Sequence, residues 1–422
     1  MRKPLIYTAA MLFVAGAILA PGLAAAADEA KPEKAPVYPS KASSMKIAGQ
    51  LQFRFTNVDK DASTKYETDT FNWKRARLTF EGDVNEFLYF QMKFQGDDLP
   101  VDAAKGQGKW GFNTTYLGFH LPGTLGDIEA GRFDVESTPR CSSSKAAFAE
   151  RAQHTENNKA GGQLGVRYGN SFLDDRIVIS VGAYNGNGDL NSDIGNDNSS
   201  LMTAGRITLT PFAKYDFDSE SDLKNSDFGV GLLVGAWKDH RGSQNNTKAK
   251  IGVTSVVSPT PTAFNNIKIK NTVTTTSADP NRADVTCYGA ALSMKYKGLF
   301  ALLDFTNRDS NGISEDSAGV VIPKYDFKAK GYSAQISYAI PIGKRMFLEP
   351  AARIEQYKDD YKSSIAGGLE ADSNFEWTTL GLNWFISNFN ASIQADYIMK
   401  KEKGALAKID NDTLMIQANL YF

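Results

Sequence analysis

Residues 412–422 read DTLMIQANLYF. Leu414, Ile416, Ala418, Leu420 and Phe422 fall on one side of an extended chain, and Thr413, Met415, Gln417, Asn419 and Tyr421 on the other. A strand with one apolar face needs an apolar cover, and here the alternation runs to the last residue, which is aromatic. A soluble domain tends to fray into polar residues at its end. Lipid is the other cover available to such a strand.

The same period of two recurs along the chain. In KIAGQLQFRFT (46–56), Ile47, Gly49, Leu51, Phe53 and Phe55 alternate with Lys46, Ala48, Gln50, Gln52, Arg54 and Thr56, long enough to cross a bilayer as a tilted strand. RARLTFEG (75–82) sets Ala76, Leu78 and Phe80 against Arg75, Arg77, Thr79 and Glu81. FLYFQMKFQ (87–95) sets Leu88, Phe90, Met92 and Phe94 against Tyr89, Gln91, Lys93 and Gln95. Further runs fall near 110–121, 126–134, 162–169, 175–184, 202–212, 227–238, 284–296, 299–308, 326–340, 345–357, 375–386, 389–399 and 412–422. About sixteen strands result, an even number within the range of single-chain outer-membrane barrels.

The links give an independent test, because such barrels alternate short periplasmic turns with long extracellular loops. Links near 57–69, 96–109, 135–161, 185–201, 239–283, 309–325, 358–374 and 400–411 are long, whereas GDVNE, LPGTLG, GNSFLD, KG, IPIGK and SNF are short and rich in turn residues. AKYDFDSESDLKNSD is the one longer link on the short side. The expected fold class is all-β, a transmembrane antiparallel barrel, and at about sixteen strands its interior opens into an aqueous channel.

Composition agrees with a wet-centred barrel. Of the 422 residues, 42% are hydrophobic and 23% charged, and the mean hydropathy of -0.34 is too polar for a helical membrane protein. After the N-terminus no stretch of about 18 consecutive apolar residues offers a transmembrane helix. The formal net charge of -1 argues against a nucleic-acid partner, which normally demands a concentrated basic surface. Arg2 and Lys3, the apolar run from Leu5 to about Leu19 and the small residues near Ala25 read as a signal peptide over 1–26. The charged, proline-containing segment 27–44 reads as a flexible leader, and 45–422 as the barrel. Cys141 and Cys287 lie far apart and form no disulfide framework; spacing leaves open whether they pair.

WKRARLTFEGDV, IEAGRFDVE, VGAYNGNG, LMTAGRITLTP, KGYSAQISYAIP, LEPAARIEQY, TLGLNWFI and LMIQANLYF, spread in this order over the mature chain, resemble the phosphate-selective porin O/P family of Gram-negative outer membranes. The resemblance implies a trimer in the outer membrane, with an inward-folded third extracellular loop that narrows the pore. Here that loop is 135–161, and Arg140, Lys145, Arg151 and Lys159 are its candidate site residues.

With apolar alternates facing lipid, the inward basic set is Arg54, Arg75, Arg77, Lys93, Arg167, Arg176, Arg206, Lys295, Arg308 and Arg353, against inward Glu81, Glu129, Asp304, Glu349, Glu355 and Asp396. The excess of positive charge predicts a mild anion preference among small hydrophilic solutes. Arg75 and Arg77 are the strongest candidates, since they project two residues apart from one strand and offer bidentate contacts to an anion. Arg132 shares its parity with Ile128 and Ala130, which predicts either a register shift or a place at the rim. Other classes are less well served. The three histidines, His120, His154 and His240, sit in unrelated contexts with no nucleophile motif beside them, so no catalytic constellation is expected. No spacing of metal ligands or haem-attachment motif calls for a metal or cofactor. A barrel-based receptor or adhesin using segment 239–283 is the alternative reading.

Overall fold

The computed structural model describes residues 44–58, 70–99, 111–135, 145–186, 200–212, 216–217, 219–241, 249–250, 268–269, 283–315, 321–363, 371–404, 408–409 and 412–422. The signal peptide, nearly all of the leader, most of segment 239–283, Arg140 and Cys141 lie outside the described residues.

Sixteen long strands among the described residues close into one barrel. They are β1 (Lys46–Val58), β2 (Thr70–Asp83), β3 (Leu88–Leu99), β4 (Gly111–His120), β5 (Asp127–Asp134), β6 (Gly162–Phe172), β7 (Ile177–Tyr184), β8 (Met202–Leu209), β9 (Gly229–Arg241), β10 (Ala283–Tyr296), β11 (Leu299–Glu315), β12 (Val321–Tyr338), β13 (Phe347–Ser363), β14 (Ala371–Phe385), β15 (Ala391–Gly404) and β16 (Thr413–Tyr421). Each pairs antiparallel with its chain neighbours, and β1 pairs with β16 from Gln50 opposite Tyr421 to Val58 opposite Thr413. Closure removes the sheet edges that would otherwise leave unpaired amides. The last residue completes that seam: the Phe422 amide donates to the Gly49 carbonyl at 3.1 Å and the Gly49 amide to the Phe422 carbonyl at 2.7 Å. Its ring lies so close over Gly49 that a Cβ there would come within 2.2 Å. Along β16, Ile416, Leu420 and Phe422 are exposed outward while Thr413, Gln417 and Asn419 are buried inward, which accounts for the terminal alternation.

Turns on the periplasmic side follow local chemistry. Lys297 and Gly298 both take positive φ, 49° and 88°, the pattern of a two-residue hairpin turn matched to strand twist. Leu173, Asp174 and Asp175 also take left-handed φ, so β7 starts only at Ile177. Arg176, expected on the wall, therefore lies exposed in that turn.

One other expectation is revised. The long links expected at 309–325 and 358–374 are largely strand: β11, β12 and β13 run 17, 18 and 17 residues and leave only residues 316–320 and 364–370 between described strands. Past the apolar band both faces of a hairpin meet water, so pairing continues while the apolar alternation stops. A register shift between Gln52 and Phe53 sets Gln52 opposite Arg75 and Phe53 opposite Trp73, leaving Lys74 as the extra residue of a β-bulge. No such shift interrupts the pairing of β5 with β4 or β6; Arg132, opposite Thr115 and Leu164 near the extracellular end of β5, stands at the rim.

Candidate functional site

Two segments fold into the lumen from opposite ends. The first is the β5–β6 loop, whose described part, 145–161, carries helix α1 (Gln153–Asn158). The loop is seated on wall carboxylates and amides: Ala149 N donates to Asp396 at 2.6 Å, Gln153 N to Glu355 at 2.8 Å, Asn383 to the Ala147 carbonyl at 2.8 Å and Gln394 to the Ala146 carbonyl at 2.9 Å. Buried His154 bridges Asp304 (3.2 Å) and Thr306 (3.1 Å) through its two ring nitrogens. The Asn158 carbonyl accepts from Trp237 Nε1 and from the buried Cys287 thiol, each at 3.3 Å. An inward apolar cluster that includes Phe133, Tyr184, Trp237, Phe327, Tyr357 and Phe375 packs around Ala160 where the loop returns to the wall. Those aromatics escape a reading in which polar alternates face the lumen, since a lumen filled by a loop is locally a protein core.

The second segment is the β8–β9 link on the periplasmic side. Instead of turning tightly it crosses the mouth as a strap. Leu223 packs with Ala339 and Phe385 on the far wall, Ser221 donates to Glu349 at 3.0 Å, and the Asp216 carbonyl accepts from Lys295 at 2.8 Å. Strap and loop also touch. Glu220 accepts from Ala147 N at 3.1 Å and from Gln335 at 3.2 Å, its own amide donates to the Lys145 carbonyl at 2.9 Å, and Lys145 pairs with Asp216 at 3.3 Å. The sequence marked this link only by its length.

The wall cations of the sequence fall into distinct groups. Arg54, Arg308 and Arg353 are buried and hold the loop backbone: Arg54 donates to Ala149 O at 2.8 Å, Arg308 to Asn157 O at 3.3 Å and Arg353 to Glu150 O at 2.9 Å, with the Arg353 guanidinium 4.7 Å from the centre of the Phe148 ring. Lys295 is buried against the strap. Arg167 donates to Glu129 at 2.6 Å beside the Phe133 ring. Arg75, Arg77 and Lys93 are half-buried on β2 and β3, with Arg75 donating to Gln52 at 2.7 Å. Arg206 of β8 faces a space between loop and strap. In the loop itself, Lys145 pairs with Asp216, Arg151 with Glu156 at 3.7 Å and Lys159 with Glu156. Lys74, displaced inward by the bulge, reaches Glu150 at 3.6 Å, and Arg54 pairs with the same carboxylate. Burial works against ionisation of Glu150, but the surrounding Arg54, Lys74 and Arg75 hold its carboxyl below the usual range.

The wall's carboxylates divide in the same way. Asp304, Glu349, Glu355 and Asp396 are buried beneath the two inward segments. Glu81 and Glu129 stand on the opposite wall, where Lys46 donates to Glu81 at 2.8 Å and Tyr89 to Glu129 at 3.0 Å.

A closed sixteen-stranded antiparallel barrel with a lumen narrowed by an inward loop defines the porin class. Residues 45–422 match the model of the family described as "Phosphate-selective porin O and P", and the chain belongs to that family. It is thus a porin of the Gram-negative outer membrane. A monosaccharide porin from a Halomonas species is 29% identical over 139 residues, 32% of this chain and 34% of that protein, so the match spans about a third of that relative's length. Among solved structures, the anion-selective porin from Comamonas acidovorans has a similar fold, with a TM-score of 0.53 at 12% identity over 90% of this chain and 99% of that one. The trimer form of OmpT from Vibrio cholerae is similar in fold with a TM-score of 0.50 at 13% identity, covering 90% of this chain and 100% of that one.

Proposed function

We propose that the protein passes small hydrophilic solutes by diffusion, with a mild preference for anions, as a homotrimer and without catalysing a reaction. One observation carries the anion preference: the inward segments rest on Asp304, Glu349, Glu355 and Asp396, burying wall carboxylates, while Arg75, Arg77 and Lys93 of β2 and β3 stay half-exposed on the opposite wall. An ion passing that wall meets more positive than negative charge in a poorly screened space. The anion-selective Comamonas porin and the OmpT trimer lend support as proteins of like fold. The histidines serve other ends, His154 in seating the loop, His120 in stacking on Tyr89 and His240 in pairing with Asp284, which supports a channel over a hydrolase.

The test is the zero-current potential of the purified protein in a planar bilayer under a potassium chloride gradient, recorded with its conductance. A chloride-leaning potential is expected. A potassium-leaning one would refute the anion assignment, and a bilayer that stays silent would refute diffusion and favour a plugged receptor.

A further inference from the structure

The loop and the strap do more than narrow the lumen; between them and the wall of β8 to β13 they enclose a side chamber. Its roof is Arg151, Ala152 and Thr155 of the loop, and its floor Phe217, Ser219 and Glu220 of the strap. The chamber lies away from the open wall of β2 and β3 and shares Arg353, Asp304 and Glu220 with the loop anchors.

Three kinds of group face it. Thr208, Ser293, Ser333 and Gln335 supply alcohol and amide groups from three strands. Phe217, Leu233, Phe300 and Leu302 supply apolar faces. Arg151, Arg206 and Arg353 are set against Asp304 and Glu220, a balance of one positive charge. Two of these side chains present buried polar atoms that the fold does not use. Ser293 is 4% exposed, and its hydroxyl has no hydrogen-bond partner among the described residues. Arg353 is also 4% exposed; its terminal nitrogens hold Glu150 O and Glu355, but its Nε has no partner among the described residues. A buried donor without a partner is costly, and native proteins rarely keep one away from a site where something else satisfies it.

The geometry points to a binding site in this chamber for a small polyhydroxylated carboxylate, a solute of the sugar-acid class. Its hydroxyls meet Ser293, Gln335 and Thr208, its C–H edge lies against Phe217 and Phe300, and its carboxylate is drawn by Arg206 and Arg353. A simple inorganic anion would leave the alcohols and the aromatic faces without use, and a neutral sugar would leave the surplus charge without use. The site rests on the reading of the protein as a diffusion porin and gives that reading a preferred solute.

The test uses the purified full-length protein in a planar bilayer in potassium chloride, with potassium gluconate, glucose or potassium acetate added as the probe. Gluconate is expected to lower the ionic current saturably, and glucose and acetate to do so only at much higher concentration. Ser293→Ala removes the hydroxyl and adds no atom to the chamber, and is expected to raise the half-blocking gluconate concentration about fivefold, the factor for one hydrogen bond. Arg206→Gln is expected to raise it further, whereas Gly111→Ala, where a Cβ would meet nothing within 4 Å, leaves the gluconate block in place. Block by glucose as strong as by gluconate would overturn the acid assignment, and acetate as strong as gluconate would overturn the hydroxyl contacts. Conductance with no gluconate block would overturn the site while leaving the porin reading intact. Absence of conductance in the unmodified protein would instead bring down the porin reading and the site with it.

Discussion

The carboxylate of Glu220 accepts a hydrogen bond from the Ala147 amide at 3.1 Å, joining a segment that enters the lumen from the periplasmic end to the loop that enters from the other. The Glu220 amide returns the contact by donating to the Lys145 carbonyl at 2.9 Å. Apolar packing fixes the loop around Ala160, and polar anchors of this kind add to it and count toward the lifetime of the seated state. Glu220→Ala removes the acceptor for Ala147 and Gln335 and keeps the backbone bond. Single-channel records of this variant are expected to show greater open-state current noise and closure at lower voltage than the unmodified protein. Identical records would mean that the strap is a passive floor.

Glu150 makes the loop sensitive to acid. Burial opposes its ionisation, yet Arg54, Lys74 and Arg75 hold its carboxyl below the usual range, so its ion pairs are fully formed above the ordinary glutamate value of about 4.3 and are lost as pH falls through the lowered one. Conductance noise is therefore expected to be flat from neutral pH to about that value and to rise below it. Glu150→Gln is expected to carry the noise of the acid form at neutral pH. A variant that keeps the unmodified protein's pH profile would remove Glu150 from the account.

The membrane is the reason so much of the barrel was legible. It forces every spanning strand to alternate, so Leu420 and Phe422 on one face of β16 and Gln417 and Asn419 on the other declare both the strand and the face that meets lipid. Where that constraint lapses, legibility lapses. The outer parts of β11 to β13, such as DSNGISE (309–315), carry no period of two. Lys74 reaches the lumen only because of a bulge opposite Gln52, and parity counting skips it. The inward loop came from family resemblance and not from its own residues. The inward course of the strap, and the inward Trp237, Phe327 and Tyr357, depend on contacts between distant strands, which a local pattern does not encode.

Gly331 tests how closely α1 is seated. A Cβ at this position of β12 would lie 2.3 Å from the His154 Cβ and 2.7 Å from the Gln356 carbonyl. Neither neighbour can swing away, since one belongs to a buried side chain and the other to the backbone. Gly331→Ala is expected to push α1 off β12, costing about 1 to 3 kcal/mol as overpacking does, with a larger and noisier conductance. Gly111→Ala, where a Cβ would meet nothing within 4 Å, serves as the control and is expected to leave conductance unchanged. The comparison is read from single-channel amplitudes and from the temperature at which the barrel unfolds in detergent. Equal behaviour of the two variants would show that the helix is held elsewhere.

Arg75 and Arg77 decide the charge of the open wall. Both are half-buried on β2, and Arg75 is oriented by its 2.7 Å bond to Gln52. Arg54, Arg308 and Arg353, equally basic in sequence, are buried, and each donates to a loop carbonyl. Neutralising the first pair should therefore act on the passing ion, and neutralising the second group on the loop. Arg75→Gln and Arg77→Gln are each expected to lower the chloride-to-potassium permeability ratio by about twofold, as loss of a unit charge near a hydrated path does, with little change in current noise. Arg353→Gln is expected to do the reverse, raising noise by loosening the Glu150 carbonyl while leaving the ratio nearly unchanged. Zero-current potentials and noise spectra from the same membranes separate the two effects. A ratio that follows Arg353 instead of Arg75 and Arg77 would move the anion path to the side of the lumen that the loop covers.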